Sequence, residues 1–412
     1  MEPGVAGMVT GGAARGGRWA SGDAPTAVHG GRVYEYARES GRQVEDIIDF
    51  SANINPLGPP ASVLEAILRA MDGIRHYPDP EQRAVRQVLA EAFGLPGPEW
   101  VFCGNGAAEV LDLFLRALGP RRVFLFDPAF AEYEAAARRC GAPVVRLPLP
   151  DVGVWPRAGA AGATHPEPAP GDLVILNHPH NPTGRLWTRA ELAEVVVPLA
   201  DAGVFILVDE SFMDFRWDER DRTALPLALA HERVVVIRSA TKMYSIPGLR
   251  FGFGVANPEW VGRIQRDRDG WSVNHLAQAA AAAAYRDEAF REETWRWLRE
   301  EQAYVAQTWG RVPGVRLYAP GANFFLLRLE APADVEDLLA AWAAEGMYVR
   351  RCDSFRGLDG RHLRVAIRRR EENRRLWEAF VRWLGDGGAS GAAREPRFEV
   401  DSGGTTKNLV IV

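Results

Sequence analysis

Lysine is almost absent from this chain. Of 49 lysines and arginines in 412 residues, only Lys242 and Lys407 are lysine. A coding preference for arginine accounts for the general bias, but not for the one lysine kept within the body of the chain. Arginine replaces lysine wherever a positive charge alone is needed. It cannot replace a lysine that must lose its proton and attack a carbonyl. Cysteine is scarce too: Cys103, Cys140 and Cys352 are too few and too scattered for a disulfide framework or a four-ligand zinc site. That usage fits a reducing, cytoplasmic setting. No uncharged apolar run reaches the roughly 18 residues that a membrane span needs. The net charge of −5 gives no basic footprint for nucleic acid. A hydrophobic share of 47% and a charged share of 25% exclude a mainly disordered or coiled-coil chain.

Both ends lack hydrophobic periodicity. Residues 1–25 read as a Gly- and Ala-rich leader without the apolar core of a secretory signal. Residues 388–412 read as a tail, and 157–171 (RAGAAGATHPEPAPG) as a surface loop. Between them, short β-branched runs alternate with helical patterns. The runs are VFLF (123–126), LVILN (173–177), VFILVDE (204–210) and RVVVIRS (233–239); helices are expected over 107–118, 130–140, 188–201 and 221–231. Strands that are apolar throughout suit a parallel sheet buried on both faces, and the alternation predicts an α/β layered domain. The texture changes after about residue 275. One long Ala-rich helix (275–310) is expected, followed by strands at 324–329 and 363–368 and helices at 333–345 and 370–384. The expected organisation is a large domain over 71–275 and a smaller α+β domain built from 26–70 and 276–387.

Four segments carry chemistry. Ser239-Ala-Thr-Lys242 follows a predicted strand, with Arg250 eight residues beyond the lysine. Two hydroxyls and a guanidinium suit a phosphate dianion, and the lysine suits imine formation with an aldehyde. Gly104-Asn-Gly-Ala-Ala-Glu109 precedes a helix, where small residues let backbone N–H groups approach an anion. Asp209 closes the run VFILVDE, at the end of a strand where ligands of α/β sheets bind. Asn181 lies in the turn Asn177-His-Pro-His-Asn-Pro-Thr-Gly184. Its two histidines, at i and i+2, have no nearby carboxylate or cysteine cluster, so no metal site is expected.

In the order GNGAAE, DPAFAEY, HNPTG, DESFMDF and SATKMYSIPGLRFGF, these motifs resemble the fold-type I pyridoxal-phosphate (PLP) enzymes of the aspartate aminotransferase superfamily, over about residues 28–385. The resemblance implies PLP as cofactor, an α/β fold with a large, mainly parallel sheet covered by helices, and a smaller α+β domain from both chain ends. It implies that Lys242 forms the imine, that Asp209 partners the pyridine nitrogen and that Asn181 contacts the ring hydroxyl. Phe130 would stack on the ring, while Gly106, Ala107, Ala108, Ser239, Thr241 and Arg250 would hold the phosphate. Tyr77, in RHYP, matches a tyrosine that reaches this phosphate from the other subunit, so a homodimer with shared active sites is implied. One departure stands out: Phe212 occupies a position where many relatives carry a tyrosine.

The amino-terminal segments HGG (29–31) and DFSANINPLG (49–58), with WSVN (271–274), the RRC beginning at Arg350 and RVAIR (364–368), are similar to the threonine-phosphate decarboxylases of cobalamin biosynthesis. The resemblance implies that His29, Gly30, Asn53, Asn181, Arg350 and Arg364 hold the substrate. The implied reaction is loss of CO2 from L-threonine O-3-phosphate, giving (R)-1-amino-2-propanol O-2-phosphate. In such sites the bond that breaks stands perpendicular to the cofactor ring, and a phosphate anchored elsewhere can turn the carboxylate into that position. The alternative is a histidinol-phosphate or related class I/II aminotransferase. A regulator that kept the fold would carry a DNA-binding domain, and the leader shows no helix-turn-helix pattern.

Overall fold

The computed structural model describes residues 30–149, 166–216 and 218–385, and the strands Pro396–Val400 and Thr406–Ile411. His29, the leader and most of the 157–171 loop lie outside the described residues.

A seven-stranded sheet runs in the order Val101–Gly104, Gly252–Val255, Val234–Ser239, Phe205–Asp209, Leu173–Asn177, Val123–Asp127, Val144–Pro148. All neighbouring pairs are parallel except those made by Gly252–Val255. Val, Ile and Leu fill the central strands because both faces are covered; every residue of Val234–Ser239 is buried. Helices Ala107–Leu118 and Arg189–Asp201 form where the sequence patterns place them. Gly119, in the left-handed conformation, ends the first; Thr188 and Glu191 form a reciprocal cap that starts the second.

Three strands of this sheet, Val101–Gly104, Val144–Pro148 and Gly252–Val255, were not expected from the sequence. Gly252–Val255 alternates glycine with apolar residues, which is a weak strand signal. The glycines are there because the backbone runs against its neighbours. A Cβ on Gly254 would fall 2.2 Å from the Phe102 ring, and one on Gly252 would fall 2.5 Å from the Ala107 nitrogen. Its partner Val101–Gly104 is equally short and ends in glycine.

The second sheet has the order Ile48–Phe50, Met347–Arg351, His362–Ala366, Phe324–Leu329, Val315–Leu317. It therefore combines a strand from near the start of the chain with four from its last third. The single helix expected over 275–310 is two, His275–Ala284 and Glu288–Thr308. Asp287 accepts a hydrogen bond from the Phe290 N–H and so starts a second helix where composition alone showed no break. Within the expected tail, Pro396–Val400 pairs antiparallel with Thr406–Ile411, whose short apolar stretch is strand-like.

A buried ionic cluster lies behind the large sheet's central strands. Arg238 pairs with Glu210 and Asp214, each at 2.6 Å, and Tyr285 donates to Asp214 at 3.0 Å. Successive strand residues face opposite sides. Glu210 and Arg238 thus take the side away from their neighbours Asp209 and Ser239, which face a cavity.

Candidate active site

The carboxyl ends of three parallel strands set the floor of that cavity: Asn177, Asp209 and Ser239 are their last residues. Ligands of α/β sheets bind there. The cavity holds about 1150 Å³ and is walled by both sheets. Lys242 follows Ser239 on the short helix Ala240–Met243. Its Nζ donates to Ser239 Oγ at 3.1 Å and lies 5.9 Å from the centre of the Phe212 ring. Burial lowers the Lys242 pKa to about 8; Asp209 opposes that shift, while Arg250 and Arg364 add to it.

Asp209 is held at both oxygens. Oδ1 accepts from the Ser211 N–H at 2.9 Å and Oδ2 from the Tyr133 hydroxyl at 2.6 Å. Burial, and the Asp209 charge after it, push the Tyr133 pKa well up, so the phenol keeps its proton and remains a donor. Asn177 braces the same region, donating to the Asp209 carbonyl at 3.0 Å and accepting from the Asn181 N–H at 2.7 Å. Asn181 Oδ1 accepts from Arg364 Nη1 at 2.7 Å, which leaves the amide NH2 as its donor. His178 and His180 are fully committed to this turn. His178 bonds the Arg222 carbonyl and His180 bonds the Thr183 hydroxyl, and burial lowers both pKa values to about 3.

At one end of the cavity, donors converge. Ser239 and Thr241 hydroxyls lie 2.8 Å apart, and Arg250 stands beside the start of helix Ala107–Leu118. Gly106 precedes that helix with φ 81° and ψ 166°, a conformation open essentially to glycine, and a Cβ there would lie 2.5 Å from Arg250 Nη2. Backbone N–H groups, two hydroxyls and a guanidinium form a cradle for a dianion. The donor set, the desolvated lysine and the Asp209 carboxylate fit PLP. Phe130 lines the adjacent wall, edge-on to Tyr133.

The opposite wall is cationic. Arg350 and Arg364 are directly paired across adjacent antiparallel strands. Like charges opposite one another are destabilising in a sheet. Burial lowers both guanidinium pKa values, that of Arg364 to about 10. Arg364 bonds only neutral oxygens, Asn181 Oδ1 and the Ser51 carbonyl at 2.6 Å, and its Nε has no partner. Arg350 donates to Ser354 Oγ at 2.6 Å. Asn53 is buried nearby, with neither side-chain polar atom hydrogen-bonded.

Most site residues read from the sequence therefore meet in one cavity: Gly30, Asn53, Ala107, Ala108, Phe130, Asn181, Asp209, Ser239, Thr241, Lys242, Arg250, Arg350 and Arg364 all line it. Gly106 stands just behind, against Arg250. Tyr77 does not join them: it is 79% exposed and stacks on Trp271 at 4.6 Å. Tyr133 and Ser354 were not singled out from sequence, although the spacing of Phe130 and Tyr133 at i, i+3 was a usable signal for the first.

A lysine, a strand-end aspartate and a phosphate cradle on this sheet define a PLP-dependent enzyme of fold type I. Residues 45–380 match the family model Aminotransferase class I and II, and the chain belongs to that family. A threonine-phosphate decarboxylase of Salmonella typhimurium is 36% identical, over 86% of this chain and 96% of that protein. A histidinol-phosphate aminotransferase of Symbiobacterium thermophilum is 35% identical, over 87% and 96%. The crystal structure of L-threonine-O-3-phosphate decarboxylase from Porphyromonas gingivalis superposes with a TM-score of 0.69 at 26% identity, covering 81% of this chain and 98% of that one. The cofactor is pyridoxal 5′-phosphate.

Proposed function

We propose that this enzyme decarboxylates L-threonine O-3-phosphate to (R)-1-amino-2-propanol O-2-phosphate, a step in cobalamin biosynthesis. The observation that carries the reading is the directly opposed pair Arg350 and Arg364, facing the cavity that holds Lys242. Two adjacent cations suit a substrate with two anionic groups, here a carboxylate and a phosphate. The Salmonella relative supports it. The Symbiobacterium relative supports the second reading, a histidinol-phosphate aminotransferase, whose amino substrate carries a phosphate and no carboxylate.

The roles follow from position. Lys242, partly neutral near pH 8, supplies the amine that binds the cofactor aldehyde. Ser239, Thr241, Arg250 and the N–H groups after Gly106 hold the cofactor phosphate. Phe130 covers the ring and Asn181 donates to the ring oxygen; with Phe212 in place of a tyrosine, a second hydroxyl donor is missing. Asp209, held by Ser211 and Tyr133, keeps a proton on the ring nitrogen. When bound, the cofactor supplies the electron sink for the pair released as CO2 departs. Arg364, buried beside Asn181, takes the carboxylate end, and Arg350, paired with it on the next strand, takes the phosphate, with Asn53 and His29 as further donors.

The second copy of the chain belongs to the same proposal. Leu64, Leu68, Met71, Ile74, Tyr77 and Trp271 are exposed large hydrophobics. Their covering by a second copy would form a homodimer in which Tyr77 of the partner subunit completes the phosphate cradle.

Kinetics with and without the substrate phosphate test the function. Unphosphorylated L-threonine should lose kcat as well as affinity, because remote binding energy orients the reacting carbon. Two lost charge-assisted contacts, each worth about 1.5–3 kcal/mol, correspond to at least a hundredfold in kcat/KM. Arg350→Ala should cost much less with L-threonine than with the phosphorylated substrate. An equal penalty on both would remove Arg350 from the phosphate.

A further inference from the structure

Ser51 is fully buried at the turn that leaves Ile48–Phe50. Its N–H and its hydroxyl both donate to Asp49 Oδ1, at 2.7 and 2.6 Å. Its Oγ accepts from the Gly31 N–H at 2.9 Å and from the Tyr36 hydroxyl at 3.3 Å. Its carbonyl accepts from Arg364 Nη2 at 2.6 Å. Gly30 is pressed against that carbonyl: a Cβ on Gly30 would fall 2.0 Å from the Ser51 oxygen.

One residue therefore ties together three stretches of chain that are distant in sequence. They are Gly30–Gly31, the turn after the edge strand, and Arg364 on His362–Ala366, which in turn bonds Asn181 in the turn after Leu173–Asn177. A hydroxyl has one proton and two lone pairs. In Ser51 all three are engaged, so the side chain has nothing left to offer a substrate. Its contribution must pass through the groups that it holds.

We propose that Ser51 is a positioning residue, locked by Asp49, that sets Gly30–Gly31 and Arg364 in register along the anionic-substrate wall of the cavity. The identity of the substrate rests on the reading above; the clasp itself does not. Gly30 and Gly31 line the cavity together with Ser51 and Arg364, so a shift of the amino-terminal segment changes the shape of the substrate end.

The test is made on holoenzyme. Ser51→Ala removes the acceptor for the Gly31 N–H. Hydrogen exchange at that amide should rise at least tenfold, while exchange in Phe324–Leu329 and His362–Ala366 and the cofactor absorbance stay as in the parent. KM for L-threonine O-3-phosphate should rise about tenfold, with kcat changing less than threefold. Ser51→Cys is somewhat larger and offers only a weak acceptor, so it should shift both readouts in the same direction without the cavity that alanine leaves. Exchange that rises equally across the small sheet, or a local rise with unchanged KM, would overturn the proposal. Loss of Gly31 protection in a protein whose parent does not turn over the phosphorylated threonine would leave the clasp standing and sink the substrate assignment.

Discussion

Lys242 carries a charge that its surroundings resist. Its ammonium lies beside the Phe212 ring and Ser239 Oγ; burial and the charges of Arg250 and Arg364 disfavour it, and the Asp209 carboxylate favours it. A base whose pKa is lowered to about 8 is neutral above that pH and protonated below it. The rate at which apoenzyme captures PLP should therefore climb as pH rises through about 8 and level off above it; with an ordinary lysine it would keep climbing toward 10.5. Stopped-flow absorbance over pH 6.5–10 reads this directly, and a profile without a bend near 8 would contradict it. Lys242, Asp209, Asn181 and Arg250 were legible from sequence because each is a chemically particular residue in a distinctive context. Ser51 and Tyr133 were not, because serine and tyrosine occur everywhere and their importance lies in what they touch: Gly31 and Asp49 for one, Asp209 for the other.

At the scale of elements, the phosphate cradle exists because two backbones come very close. Gly252 lets its strand run against the start of helix Ala107–Leu118, and Gly106 takes a conformation that points the chain into that helix. Gly106→Ala combines a glycine-only φ with a contact against Arg250, which costs about 1–3 kcal/mol. PLP affinity should fall roughly tenfold to a hundredfold, with the thermal unfolding of the apoprotein less affected than that of the holoprotein. Calorimetric titration of apoenzyme with PLP measures it; parent-like affinity would show that Arg250 and the helix start do not depend on that turn. The same closeness hid the strand from sequence reading, since glycine needed for contact looks like glycine in a loop. The strands Leu173–Asn177 and Val234–Ser239 were plain because burial on both faces favours unbroken runs of Val, Ile and Leu. The break between His275–Ala284 and Glu288–Thr308 was not, because it depends on one cap, Asp287.

At the scale of the whole molecule, the cavity draws on both sheets, so its substrate end and its cofactor end are built by different parts of the chain. Leu68 is 72% exposed and Tyr77 79% exposed, outside that cavity, where a second copy would cover them. Sedimentation of the holoenzyme should give a dimer. Tyr77→Ala should lower PLP affinity without abolishing capture by Lys242, and a monomer with full PLP affinity would contradict the shared site. On the proposed reading, an aminotransferase-type fold here breaks the bond to the carboxylate. The most direct measurement is product analysis after incubating holoenzyme with L-threonine O-3-phosphate labelled with carbon-13 at the carboxylate. The account predicts stoichiometric labelled CO2 and unlabelled 1-amino-2-propanol O-2-phosphate, with no 2-oxo acid co-substrate required. Label retained in a 2-oxo acid product, or turnover only of histidinol phosphate with 2-oxoglutarate, would contradict it.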